Sequence, residues 1–102
     1  MPVKNYDELL LESLQDPEEA AAYLTACYED SEEVFLQGLR KIAQSHGGVA
    51  SLAKKTKLNR ESLYRMLSEN GNPQLSSLTT ILEKMGLKLA FTPIPKKRTA
   101  RA

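Results

Sequence analysis

The chain has one cysteine, Cys27, and one histidine, His46. A single thiol excludes an internal disulfide, and its scarcity fits a reducing cytosol. A zinc site needs several Cys or His ligands at close spacing, which these two isolated residues do not supply. A Ser-His-Asp triad would have to be built on His46, which sits beside Gly47-Gly48 at an expected helix end; a capping or surface role is simpler there. Those glycines belong to no GxGxxG or P-loop string. No apolar run approaches the length of a membrane-spanning helix. The start MPVKNYDELL is acidic and lacks a long apolar stretch, so no secretory leader is expected. These absences leave no catalytic residue, cofactor or metal ligand to expect, and an enzyme is the remote reading.

Net charge is also nearly absent, at +1 over 102 residues, but the near-zero sum conceals a strong segregation. Residues 1–33 hold ten acidic side chains against Lys4, a net −9, whereas residues 34–102 hold thirteen basic against three acidic, a net +10. An acidic arm is thus fused to a basic domain, which suggests two tasks. The basic part suits a polyanion. The acidic part either meets a basic partner or limits non-specific binding by competing for the basic face. The plainer alternative is that both are solvated helix surfaces. The pairs Glu18-Glu19 and Glu32-Glu33 fall at helix starts, where the dipole favours negative charge, and they need no hydrolytic role.

At this length the chain is one domain with a small core, which dimerisation would supplement. A first helix starts at Asn5 or Asp7 and runs to about Leu14, with Leu9, Leu10 and Leu14 on one side. Asp16-Pro17-Glu18-Glu19 is a strong helix start, and the helix to about Tyr28 carries Ala21, Ala22, Leu24, Ala26 and Cys27. Asp30 or Ser31 caps a third helix to about Ser45, whose stripe is Val34, Phe35, Leu39 and Ile42 with Leu36 and Ala43 flanking. Gly47-Gly48 ends it. Glu69-Asn70-Gly71-Asn72-Pro73 reads as a loop. A helix near residues 75–85 follows, with Leu75, Leu78, Ile81, Leu82 and Met85 inward and Gly86 as its stop. The period then changes: Leu87, Leu89 and Phe91 alternate with Lys88, Ala90 and Thr92, a strand pattern that Pro93 and Pro95 end. Lacking a partner strand, this segment is expected to pair with its counterpart in a second subunit or to pack on the helices. The tail from Lys96 is basic and expected to be disordered; it either adds phosphate contacts or is incidental.

The most informative stretch is residues 49–68. Leu52 and Ala53 begin the buried side of one short helix, and the small Ala53 permits a close crossing. Thr56 and Lys57 lie at the turn, and Leu58 can plug the core from it. Asn59 is a good N-cap for a second helix, in which Leu63, Met66 and Leu67 form the inward stripe. Arg60, Glu61, Ser62, Tyr64 and Arg65 remain on the other faces. This is the pattern of a helix-turn-helix, whose second helix places its N-terminal half in the major groove. Arg there can bond guanine O6 and N7, and Glu can accept from cytosine N4.

The residue types and spacing resemble the helix-turn-helix of the Cro/repressor superfamily, with Lys57 where that pattern usually has Gly. A wider resemblance runs through AAYLTACYED, the helix-turn-helix, and SLYRMLSENGNPQLSSLTTILEKMGLKL. These strings are similar to the addiction-module antidote proteins, small HigA-type antitoxins of bacteria, most specifically from Asn59 to Leu89. The resemblance implies a DNA-binding antitoxin that pairs with a RelE/HigB-like toxin and represses its own operon.

The expected fold is all-α: a lambda-repressor-like domain of five to six helices with a helix-turn-helix and a short C-terminal β-strand. Its expected divisions are an acidic helical arm (1–31), the DNA-binding domain (32–86), a dimerisation strand (87–93) and a basic flexible tail (94–102). Base contacts are expected from Asn59, Arg60, Glu61, Ser62 and Arg65. Phosphate contacts are expected from Lys54, Lys55 and Lys57, and from Tyr64, which could equally pack half-buried. The partners are double-stranded operator DNA, the cognate toxin and a second copy in a homodimer, with no membrane; the location is cytoplasmic, on the nucleoid. Two rivals are a plain transcriptional regulator without a toxin and a helical adaptor whose helix-turn-helix meets only protein.

Overall fold

The computed structural model describes residues 5–95, which form six helices and no strand. Each of the first three helices begins on a side-chain cap. In α1 (Tyr6–Ser13), Asn5 and Glu8 form a capping box: the Glu8 N–H donates to Asn5 Oδ1 at 2.8 Å and the Asn5 N–H to Glu8 Oε1 at 3.0 Å. In α2 (Pro17–Asp30), Asp16 accepts from the Glu18 N–H and Pro17 occupies the first turn. In α3 (Glu32–Ser45), Ser31 accepts from the Val34 N–H. Each cap satisfies an N–H that the helix leaves unpaired.

The core draws on all of the last five helices and on the residue that closes α1. Leu14, Ala20, Leu24, Leu36, Leu39, Ile42, Leu52, Leu63, Leu67, Ile81 and Met85 form one buried cluster. Helices α2 and α3 make the largest contact. Gly38 permits it, because a Cβ there would lie 2.8 Å from Cys27 Sγ. Leu39 and Ile42 are fully enclosed, and truncating either to alanine costs about 2–5 kcal/mol in a packed core. The acidic N-terminal residues thus belong to helices whose inner sides enter this core. The Gln15 side-chain amide also donates to the Ser45 carbonyl, and Lys41 pairs with Asp7 at 2.8 Å.

Leu9 and Leu75 depart from their expected inward positions. Leu9 faces solvent, because α1 has only eight residues and its inner side is carried by Leu10 and by Leu14 beyond its end. In α2 the inward residues are Ala20, Leu24 and Cys27, while Ala21, Ala22 and Ala26 point outward. Leu75, at the first turn of α6 (Leu75–Lys84), is exposed; Leu78 is half-buried and Ile81, Leu82 and Met85 carry the contact.

The strand expected at residues 87–92 is absent from the described residues, and the segment is exposed after Leu87 rather than packed on the helices. A strand exists only by hydrogen bonding to a neighbour, and no neighbouring strand is present in this chain's described residues. Of the basic tail, residues 96–102 lie outside the described residues, so its expected disorder lies outside them too.

Candidate nucleic-acid interface

Two short helices and a three-residue turn build the site. Helix α4 (Gly48–Thr56) and helix α5 (Arg60–Met66) are joined through Lys57, Leu58 and Asn59. The turn starts where Lys57 adopts φ +62°, ψ +20°, a left-handed conformation uncommon for a residue with a Cβ. Thr56 reinforces it: its hydroxyl donates to the Leu52 carbonyl at 2.8 Å and accepts from the Leu58 N–H at 3.2 Å. Leu58 and Ala53 are half-buried against the core. Asn59 then caps α5, accepting from the Ser62 N–H at 3.0 Å.

Leu63 and Leu67 are buried, with Met66 packed beside them, and this orients every other side chain of α5. By helical spacing, Glu61 and Arg65 lie on the face opposite the core, with Arg60 and Tyr64 on one flank and Ser62 on the other. Arg60, Glu61, Tyr64 and Arg65 are all exposed. Tyr64 is 52% exposed, and the Arg60 guanidinium lies over its ring, 5.8 Å from the centroid. The cation and the ring therefore form one surface unit. Asn59 has given its acceptor oxygen to the cap, which leaves its amide NH₂ for a ligand. Lys54 and Lys55, in the last turn of α4, and Lys57 in the turn are exposed.

Only three of the nine expected contact residues share a concave surface. Asn59, Ser62 and Arg65 line a groove of about 740 Å³. Its opposite wall is Ser68, Asn70, Gly71, Asn72, Gln74 and Ser77, from the α5–α6 loop and the first turn of α6. Sequence reasoning treated this loop only as turn-forming residues. The available signal was its density of amides and hydroxyls directly after the basic helix. Gly71 is required there: a Cβ would lie 2.1 Å from the Met66 carbonyl oxygen. Arg60, Glu61, Tyr64 and the three lysines lie outside the groove lining, on the surface around it.

Arg40 and His46 border the helix pair from α3, and Arg40 supports it directly. The half-buried Arg40 of α3 donates from Nη1 to the Leu67 carbonyl, capping the end of α5. His46 ends α3 beside α4, with Nε2 buried and without a partner. Burial, and then the Lys55 ammonium, hold its pKa below the ordinary imidazole value. Burial pushes the Cys27 thiol up, against a hydrogen bond with Tyr23 that lowers it, so it is not activated as a nucleophile. Among the described residues no group of three or more His, Cys, Asp or Glu could hold a metal ion, and no helix is long and apolar enough to cross a membrane.

Comparison with known proteins decides the family. Residues 3–93 match the family described as "probable addiction module antidote protein". The chain belongs to this family. A family match over nearly the whole chain includes both the acidic helices and the helix-turn-helix unit. A Haemophilus influenzae (strain Rd) protein, named as an uncharacterized protein, is 30% identical over 87 residues, covering 84% of this chain and 87% of its own length. No solved structure matches the chain.

Proposed function

We propose that this antidote-family protein is the antitoxin of a type II toxin–antitoxin module, binding its own operator DNA as a repressor and neutralising a RelE/HigB-like toxin by protein contact. The observation that carries the DNA reading is α5 itself. Its Leu63–Leu67 side is locked into the core while Arg60, Glu61 and Arg65 project outward beside a groove of amides and hydroxyls. In the major groove, Arg60 and Arg65 read guanine edges, Glu61 accepts from cytosine, and Ser62 and the Asn59 amide complete the base contacts. Lys54, Lys55, Lys57 and the Tyr64 hydroxyl meet phosphates on either side, fixing register rather than sequence. A homodimer would place two such helices one helical turn apart. The toxin part is supported by family membership and by the acidic exterior of α1 and α2.

The test is fluorescence anisotropy with DNA from upstream of the chain's own gene and a scrambled control, at two salt concentrations. Arg60→Ala and Arg65→Ala should each weaken specific binding by about 1–3 kcal/mol and relax the preference for the upstream DNA. Equal, weak, salt-labile binding to both DNAs, indifferent to the substitutions, would leave only a basic surface and favour the adaptor reading.

A further inference from the structure

After α6 the chain leaves the domain along a defined path. Gly86 takes φ +81°, its N–H donates to the Glu83 carbonyl at 3.0 Å, and the Leu87 N–H donates to the Leu82 carbonyl at 2.8 Å. This is a Schellman ending, and Leu87 seals it by packing on the core. From Leu87 to Pro95 the chain has no turn or bend. Leu89, Phe91 and Ile94 stand open to solvent, with Phe91 and Ile94 each 89% exposed. Isolated exposed apolar residues are ordinary. Leu89 and Phe91 are not isolated: with the anchored Leu87 they alternate along an uncurled run at strand spacing, and Ile94 lies just beyond it.

We infer that residues 87–93 form an antiparallel β-ribbon with the same residues of a second copy of this chain, centred on Ala90. The segment's own register selects this occupant. The ladder is bounded by the helix-ending Gly86 at one end and by Pro93 at the other, and the midpoint of 87–93 is Ala90. In that register Leu89 lies opposite Phe91 of the second copy, and Phe91 opposite its Leu89. Four apolar side chains therefore share one face, continuous with Leu87. On the other face Lys88 meets Thr92, and the two Ala90 residues meet on the axis. Shifting the centre to Lys88 sets two ammonium groups opposite each other, a slip by one residue toward Gly86 sets Lys88 opposite Phe91, and a centre at Leu89 leaves Thr92 and Pro93 without partners short of the Gly86 turn. Pro93 has no N–H to donate, so it takes a non-hydrogen-bonded pair with Leu87. Alternation then makes the Leu89–Phe91 pairs non-hydrogen-bonded as well, the closer of the two side-chain geometries. This ribbon deepens the homodimer of the functional reading, on which it rests, and is independent of the DNA contacts.

The test uses the full chain. Sedimentation equilibrium should give twice the 11.4 kDa chain mass. Phe91→Ser should weaken the dimer about tenfold or more, because two cross-strand pairs are lost per dimer. Ala90→Pro, which removes a ladder N–H from each copy, should act likewise, both with unchanged far-UV circular dichroism. Under mild oxidation Ala90→Cys should cross-link across the axis, whereas Lys88→Cys should not; Cys27, buried and common to both variants, is the internal control. A dimer indifferent to both substitutions, or cross-linking equally at positions 88 and 90, overturns the ribbon and leaves the two-half-site repressor standing on another interface. A wild-type monomer at every concentration overturns the ribbon and the homodimer together, while the Arg60 and Arg65 experiment still decides DNA binding by itself.

Discussion

Lys57 is the residue on which the helix-turn-helix turns, and it carries two opposed effects. Its left-handed backbone costs about 1–2 kcal/mol for a residue with a Cβ, a cost glycine would not bear. Glycine's greater freedom in the unfolded chain removes about 0.4–1 kcal/mol of that gain. Lys57→Gly is therefore expected to stabilise the fold by up to about 1.6 kcal/mol, read as a higher urea midpoint at unchanged slope. If Lys57 meets a phosphate, the same variant should bind DNA less tightly, with the slope of log K against log salt reduced by about one. Such a split between stability and binding would explain a lysine at a glycine position. His46 gives the second prediction at this scale. Its folded pKa is depressed by burial and by Lys55, so the unfolded chain takes up a proton more readily. Stability from this group is full above the unfolded value of about 6.5 and declines as pH falls through it, levelling once the folded form also protonates. Thermal unfolding should show a lower Tm at pH 5.5 than at 7.5, and His46→Asn should shrink that difference; an unchanged difference would mean that other groups cause it.

Helix α5 has only seven residues, too short to hold itself together without tertiary support, so both of its ends depend on partners. Asn59 holds the first turn and Arg40 the last. Arg40→Met keeps the aliphatic stem but leaves the Leu67 carbonyl without its charged donor. A loss of about 1.5–3 kcal/mol is expected, checked by urea denaturation. If α5 binds DNA as proposed, binding should weaken although Arg40 lies on α3, far from α5 in sequence; unchanged stability would remove Arg40 from this role. The contrast between Asn59 and Arg40 also marks what could be read in advance. Asn59, Asp16, Ser31, the Lys57 turn and the Gly86 stop were legible because each acts within a few residues of itself. Arg40 bonds a carbonyl 27 positions away, and the groove wall from Ser68 to Ser77 becomes a wall only when α6 packs back on α4. Leu9 and Leu75 fit the helical period yet lie outside, since periodicity ranks faces without showing how far a neighbouring element extends. The alternation of Leu87 to Phe91 signalled a strand whose partner one chain cannot supply.

At the scale of the molecule the decisive feature is the separation of charge, net −9 before residue 34 and net +10 after it. The structure shows that this is not a detachable acidic arm beside a complete domain, because Leu14, Ala20 and Leu24 are part of the common core. Deleting residues 1–30 to test toxin binding would remove those side chains and confuse unfolding with loss of contact. Surface neutralisation avoids that confusion. Glu18, Glu19, Glu29 and Glu33 are exposed, and changing all four to glutamine removes four negative charges while leaving the inner faces of α2 and α3 intact. If the acidic exterior attracts a basic toxin, its charge acts mainly during encounter, since rim charges alter association more than dissociation. Stopped-flow association with the proposed RelE/HigB-like toxin should then slow by about tenfold or more at low salt, and the dependence of rate on ionic strength should flatten. DNA affinity should hold or rise, because the competing negative field is gone. An unchanged rate and salt dependence, with the variant folded by circular dichroism, would strip the acidic surface of any part in toxin capture. The toxin contact would then have to be sought on the uncharged parts of the molecule.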